Sequence, residues 1–161
     1  MDRSNELKYR LQVCQIPVMP AFDAVSDQCR RRFDPPPLVR LYITDQHGIE
    51  KEAPLYDASY VLHCSLWSDD GTKDRNLMLE GNRKTGVLIG SLVSSPKLQR
   101  DAKGKMGCFF SFPDLSCRVD GRYRLKFTFM GPTVDAQFAI LAEVMSNILQ
   151  SQKWDLSLAN A

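Results

Sequence analysis

The cleanest alternation in the chain runs over residues 121–130. Tyr123, Leu125, Phe127 and Phe129 fall on one side of it, and Arg122, Arg124, Lys126 and Thr128 on the other. A period of two predicts a β-strand with one face in a core and the other in water. The same pattern recurs upstream. Tyr9, Leu11 and Val13 alternate with Arg10 and Gln12. Val39, Leu41 and Ile43 share one side of residues 38–44. Tyr60, Leu62, Cys64 and Leu66 alternate with Val61, His63, Ser65 and Trp67. Two apolar runs of strand length follow, residues 86–95 and 108–112.

Turn formers punctuate these runs at His47-Gly48, Asp70-Gly71, Pro113-Asp114 and Asp120-Gly121. Asp120-Gly121 is a hairpin signal, and it predicts that residues 115–119 pair with the strand that follows. About seven short strands at this spacing predict a mainly β fold, an antiparallel β-sandwich. Two stretches read as irregular connections, the proline-rich residues 14–37 and the polar residues 68–86. The last part of the chain is ambiguous. Phe138, Leu141, Met145 and Leu149 lie near helical spacing, while Phe138, Ile140, Ala142 and Val144 alternate.

A length of 161 residues suits one domain. Such a domain buries roughly 70% of its unfolded surface, so no metal or disulfide is needed to hold it. The five cysteines are scattered, with no CxxC pair, and read as small apolar fillers of a reduced, intracellular protein. No stretch resembles a secretory leader or approaches the ~20 apolar residues of a membrane span. The formal net charge of +2 is too small to imply a polyanionic partner by itself.

The placement of the charges says more. Arg30, Arg31 and Arg32 run through Phe33 and Asp34 into Pro35, Pro36 and Pro37. Proline fixes φ and keeps its predecessor extended, so the arginines sit on a stiff lead into the strand at Leu38. Asp34 could cap the turn or pair with a neighbouring arginine. A pre-ordered loop loses less entropy on binding, and arginine suits phosphate oxygens and the guanine edge. A second basic region spans residues 71–105, where Lys73, Arg75, Arg83, Lys84, Lys97, Arg100, Lys103 and Lys105 face only Asp74, Glu80 and Asp101. For both regions the plain alternative is a solvated surface. That alternative is strong for the stripe Arg122, Arg124 and Lys126, because charged outer faces keep sheets soluble.

Signs of catalysis are weak. Only His47 and His63 could serve as a base near neutral pH, one in a turn and one in a strand. There is no GxSxG elbow, and residues 81–86 lack the order of a phosphate loop. The residues therefore point to no enzyme, no cofactor and no metal.

Residues 30–43, "RRRFDPPPLVRLYI", closely resemble the R-[RK]-P-x-D-P-P-P-x-V segment of the fungal velvet domain family. The likeness continues in "LQVCQIPVMPA", "LYDASYVLHCSLWSDDGT" and "GSLVSSP". It is most specific in "GCFFSFPDLSCRVDGRYRLKFTF". It covers about residues 7–146, and the branch looks closer to VosA/VelB-type members than to the VeA type. The resemblance implies an immunoglobulin-like sandwich related to the Rel-homology (NF-kappaB) domain. It implies a nuclear regulator of development, sporulation and secondary metabolism that binds double-stranded DNA and pairs with other velvet proteins. It implies DNA contacts at Arg30 and Arg31; Arg32 stands where the family usually has proline. Arg83, Lys84, Lys103 and Lys105 are candidates for additional phosphate contacts. The alternative is an interaction subunit of a velvet heterodimer with no DNA affinity of its own. After Ser146 the family's P-F-x-V-Y-S strand is absent or replaced. The resemblance therefore reads residues 138–146 as a strand, with helix confined to the last residues.

Overall fold

Alternating strands bury their apolar faces against one another in the computed structural model, which describes residues 7–15, 17–18, 32–52, 59–133, 135 and 137–150. The strands are β1 Lys8–Gln15, β2 Leu38–Thr44, β3 Glu50–Lys51, β4 Val61–Ser68, β5 Leu77–Glu80, β6 Arg83–Gly86 and β7 Leu88–Ile89. They continue as β8 Val93–Ser94, β9 Lys97–Arg100, β10 Met106–Ser111, β11 Ser116–Cys117, β12 Arg122–Pro132, β13 Phe138–Met145 and β14 Leu149–Gln150. No helix occurs among the described residues.

Two antiparallel sheets form the sandwich. The first has the order β1-β2-β10-β9, with β3 also on β2. The second has the order β13-β12-β4-β8, with β14 also on β12. Every inward side chain read from the alternation of β12 is buried: Tyr123, Leu125, Phe127 and Phe129. From the first sheet Leu11, Val39, Leu41, Ile43, Cys108 and Phe110 meet them. Phe110 packs edge-on against Phe129, and Phe112 lies 5.6 Å from Phe127 between ring centroids. These two contacts align the sheets, so the C-terminal end of β10 lies toward the N-terminal end of β12.

Three expectations change. Residues 115–119 are not the hairpin partner of β12, because β4 pairs along one edge of that strand while β14, at Arg122 and Tyr123, and β13 beyond them take the other. Ser116 and Cys117 pair instead with Ile89 and Leu88. The run at residues 86–95 is not one strand. It breaks at Gly90 (φ +108°), where a Cβ would fall 2.3 Å from the Asp114 carbonyl oxygen. The Asp114 carboxylate accepts the Ser91 amide at 3.1 and 3.2 Å, so β7 and β8 are steered to different neighbours. Residues 68–86 are not wholly irregular, since β5 and β6 form a two-stranded ribbon turned at Gly81 (φ +63°).

Residues 138–145 are a strand, as the velvet likeness implies, and a helix beyond residue 150 falls outside the described residues. Of the cysteines, Cys64 and Cys108 are buried fillers, Cys117 is half-buried, and Cys14 is exposed; all four are free thiols. Burial pushes the Cys108 and Cys117 thiols up to about 11, which keeps them protonated and unreactive at neutral pH. Cys29 lies outside the described residues.

Candidate nucleic-acid interface

The proline lead is anchored at both ends. Phe33 is 3% exposed and sits in the core cluster, and its amide donates to the Leu115 carbonyl at 2.9 Å. Pro37 is buried, and its carbonyl accepts the Phe112 amide at 3.2 Å. Between them the Asp34 amide donates to Val18 at 3.0 Å, and the Asp34–Pro35 bond is cis. A buried aromatic ring thus plugs the segment into the sandwich directly after Arg32. The sequence reading gave that task to the prolines alone. The signal for Phe33 was present, a lone large apolar residue between charges and prolines.

Arg32 is exposed and enters no ion pair among the described residues. Arg30 and Arg31 lie outside the described residues. Asp34 is exposed too, and among the described residues its backbone rather than its carboxylate makes the bond.

The second basic region divides. Arg83 and Lys84 lie exposed on β6, in a ribbon that leaves β4 at Ser68 and returns at Val87. Ser68 pairs with Tyr123 near the start of β12, so the ribbon leaves from the same end of the sandwich as Arg32. Arg118 lies beside its base. The Arg118 amide donates to Val87 at 2.8 Å, and its Nε donates to Gly86 at 3.2 Å, which aims the guanidinium. Sequence reasoning missed Arg118 because it placed residues 115–119 in a hairpin.

Lys103 and Lys105 stand at the opposite end, in the β9–β10 turn. The amides of both donate to Asp101 Oδ1, and Lys105 Nζ pairs with Glu50 at 3.0 Å. Of the expected basic residues that are described, Arg32, Arg83 and Lys84 therefore lie toward one end and Lys103 and Lys105 toward the other.

The stripe on β12 is occupied internally. Arg124 Nε donates to the Asp69 carbonyl at 2.7 Å, and Arg122 lies 3.7 Å from the Asp69 carboxylate. Lys126 pairs with Glu143 at 3.5 Å and stacks over Trp67. The soluble-face reading holds for these three residues.

Arg40 was overlooked because it occupies an outer position of β2. It is buried nonetheless. The β9–β10 hairpin brings Asp101 over it at 2.9 Å, and its guanidinium lies against Gly107, Tyr42 and Phe109. The hydrogen bond from Arg40 holds the Asp101 carboxyl below its ordinary range, with help from the Lys105 and Lys103 amides.

Among the described residues neither histidine meets a nucleophile or a carboxylate partner through its ring. His63 faces Thr128 and Val93 within the second sheet, and the His47 amide donates to Asp45 in a turn. Among the described residues no group of three His, Cys, Asp or Glu side chains could hold a metal ion.

Comparison with known proteins agrees with this architecture. The family model for the velvet factor matches residues 9–86 and 78–153. The sexual development regulator velC of Gibberella moniliformis is 40% identical over 129 residues, covering 79% of this chain and 28% of that protein. The spore development regulator vosA of Beauveria bassiana is 39% identical over 133 residues, covering 78% of this chain and 48% of that protein. The developmental and secondary metabolism regulator veA of Hapsidospora chrysogenum is 33% identical over 142 residues, covering 84% and 27%. The chain spans about half or less of the length of each of these relatives. With two overlapping family segments across nearly all of its strands, the chain belongs to the velvet family.

Proposed function

We propose that this chain is a DNA-binding regulator of transcription, without enzymatic activity, that acts in the nucleus on fungal development, sporulation and secondary metabolism. One observation carries the reading. Arg32 is exposed and unpaired among the described residues, on a segment locked by the Phe33 plug immediately after it. Arg32, together with Arg30 and Arg31 just before it in the sequence, meets the phosphates of a duplex and reaches a base edge. Arg83 adds a phosphate contact from the ribbon at the same end. The names of the relatives, regulators of sexual and spore development, support the regulatory role.

The test is a binding titration against selected duplex DNA over a range of salt. Replacing Arg30 and Arg31 by alanine flattens the salt slope by about 2. An unchanged slope removes the two arginines from the interface.

A second reading makes the chain a partner subunit whose DNA affinity appears only in a velvet heterodimer. It is favoured by β13, a strand at the edge of its sheet with Phe138 and Ile140 at 59% and 58% exposure. Gel shifts with the purified chain alone, and then with a second velvet protein, separate the two. Shifts only in the mixture select the second.

A further inference from the structure

The β5–β6 ribbon has a feature that DNA contact does not use. It is a two-stranded sheet of its own, and among the described residues no third strand pairs with either outer edge. Its base is held firmly. The Asn76 side chain accepts the Leu66 amide at 2.8 Å and donates to Asp74 at 2.7 Å. The Val87 amide donates to the Asn76 carbonyl at 2.9 Å.

The register divides the ribbon into two faces. Met78 and Thr85 form the inner one, with Glu80 and Arg83; Met78 packs against the core, and Thr85 donates to Glu80. Leu77 and Leu79 form the outer face, with Lys84 opposite Leu79 and Gly86 opposite Leu77. Leu77 is 62% exposed and Leu79 70%. Two adjacent, mostly exposed leucines on a rigid ribbon with open edges are costly to leave in water. The charge beside them is positive. Lys84 is the only ionisable group of the outer face, and Arg75 and Lys73 precede β5. Asp74 is engaged in capping Asn76, and Glu80, next to Leu79 in sequence, lies on the inner face opposite Arg83.

The geometry points to a docking edge for an extended, acidic segment of a partner protein, with apolar side chains at alternate positions. Such a segment adds as a third strand to the ribbon. Its backbone satisfies the open edge, every second side chain covers Leu77 and Leu79, and its carboxylates meet Lys84 and Arg75. Duplex DNA is a poorer occupant, because the most exposed side chains of this face offer nothing to a phosphate. A second copy of the ribbon is poorer as well, because it brings lysine to face lysine with no outer-face acid to pair it. Arg83, on the other face, stays free for phosphate, so the inference does not depend on how the arginines before Phe33 behave.

The test uses the full chain and a short synthetic peptide that alternates leucine with aspartate. Two control peptides carry a central proline, or lysine in place of aspartate. Fluorescence anisotropy gives affinity, and amide shifts give location. The acidic peptide is expected to bind and to move amides within residues 77–86, with both controls weaker. L77S/L79S is expected to weaken binding by about tenfold or more, and K84E by several-fold. Both sites are exposed, so the variants should keep the wild-type melting midpoint, which is checked first. The proposal is overturned if the wild-type chain ignores the peptide, if the variants bind it equally, or if the shifts map to Phe138–Ile140. It is also overturned if L79S abolishes self-association or weakens DNA binding, since the occupant is then a second copy or a duplex.

Discussion

Arg40 and Asp101 meet at 2.9 Å across the outer surface of the first sheet, with the arginine side chain only 9% exposed. The contact ties the β9–β10 hairpin down onto β2. Among the described residues it also leaves Arg40 Nε buried without a hydrogen-bond partner, so the charge depends on Asp101 for compensation. Asp101→Asn is therefore expected to lower the melting midpoint by a few degrees. Arg40→Met combined with Asp101→Asn should recover much of that loss, because no charge is then left buried. Differential scanning fluorimetry of the three variants checks the pattern, and a double variant worse than the single one would refute it.

Acid should act on the same contact. The carboxyls of Asp45, Asp70 and Asp101 all lie below their ordinary range in the folded chain. The Ile49 amide holds Asp45, the Ser68 and Thr72 hydroxyls hold Asp70, and Arg40 holds Asp101. A depressed carboxyl binds fewer protons folded than unfolded, so its stabilisation is fully present above the unfolded pKa of about 4 and is lost as pH falls below it. Chemical denaturation is expected to give a flat stability between about pH 5 and 7 and a decline below about pH 4. Asp70→Asn should make that decline shallower.

Phe33 is a fully enclosed ring directly after the three arginines in the sequence. Phe33→Ala should cost about 3 kcal/mol in urea denaturation. It should also weaken DNA binding without changing the number of phosphates contacted, because the arginines remain but their support is lost. The readout is affinity against salt, with a lower intercept and the same slope.

Arg32→Ala is the complementary variant. Arg32 is exposed and enters no ion pair among the described residues, so stability should be unchanged while the salt slope of DNA binding falls by about 1. Loss of stability instead would move Arg32 into a structural role.

Gly90 cannot accept a side chain. Its φ of +108° is strained for any other residue, and the Asp114 carbonyl occupies the space of a Cβ. Gly90→Ala is expected to cost more than about 2 kcal/mol, or to abolish soluble expression. A wild-type melting curve for this variant would contradict the tight crossing of these loops.

The main strands were legible because alternation is a local property. Tyr123 through Phe129 declare their buried side by spacing alone, and β2 was readable residue for residue as 38–44. The velvet likeness, carried by the D-P-P-P lead and the long run into β12, was legible for the same reason. Strand partners were not. Alternation says which face meets the core, and it is silent on which strand donates hydrogen bonds at each edge. The Asp120-Gly121 signal is local, but β4 pairs along one edge of β12 while β14 and β13 share the other.

The candidate site shows the same division. The sequence by itself determined that three arginines precede a rigid segment and that basic residues gather in residues 71–105. Tertiary structure alone decided that Phe33 is the plug, that Lys105 is paired with Glu50 at the far end, and that Arg40 is covered by a hairpin whose Asp101 lies 61 residues further along the chain. It alone turned Leu77 and Leu79 outward on a ribbon that no third strand joins among the described residues. Each of these outcomes depends on which distant segments share a surface, and that is set by burial summed over the whole sandwich rather than by neighbours in the chain.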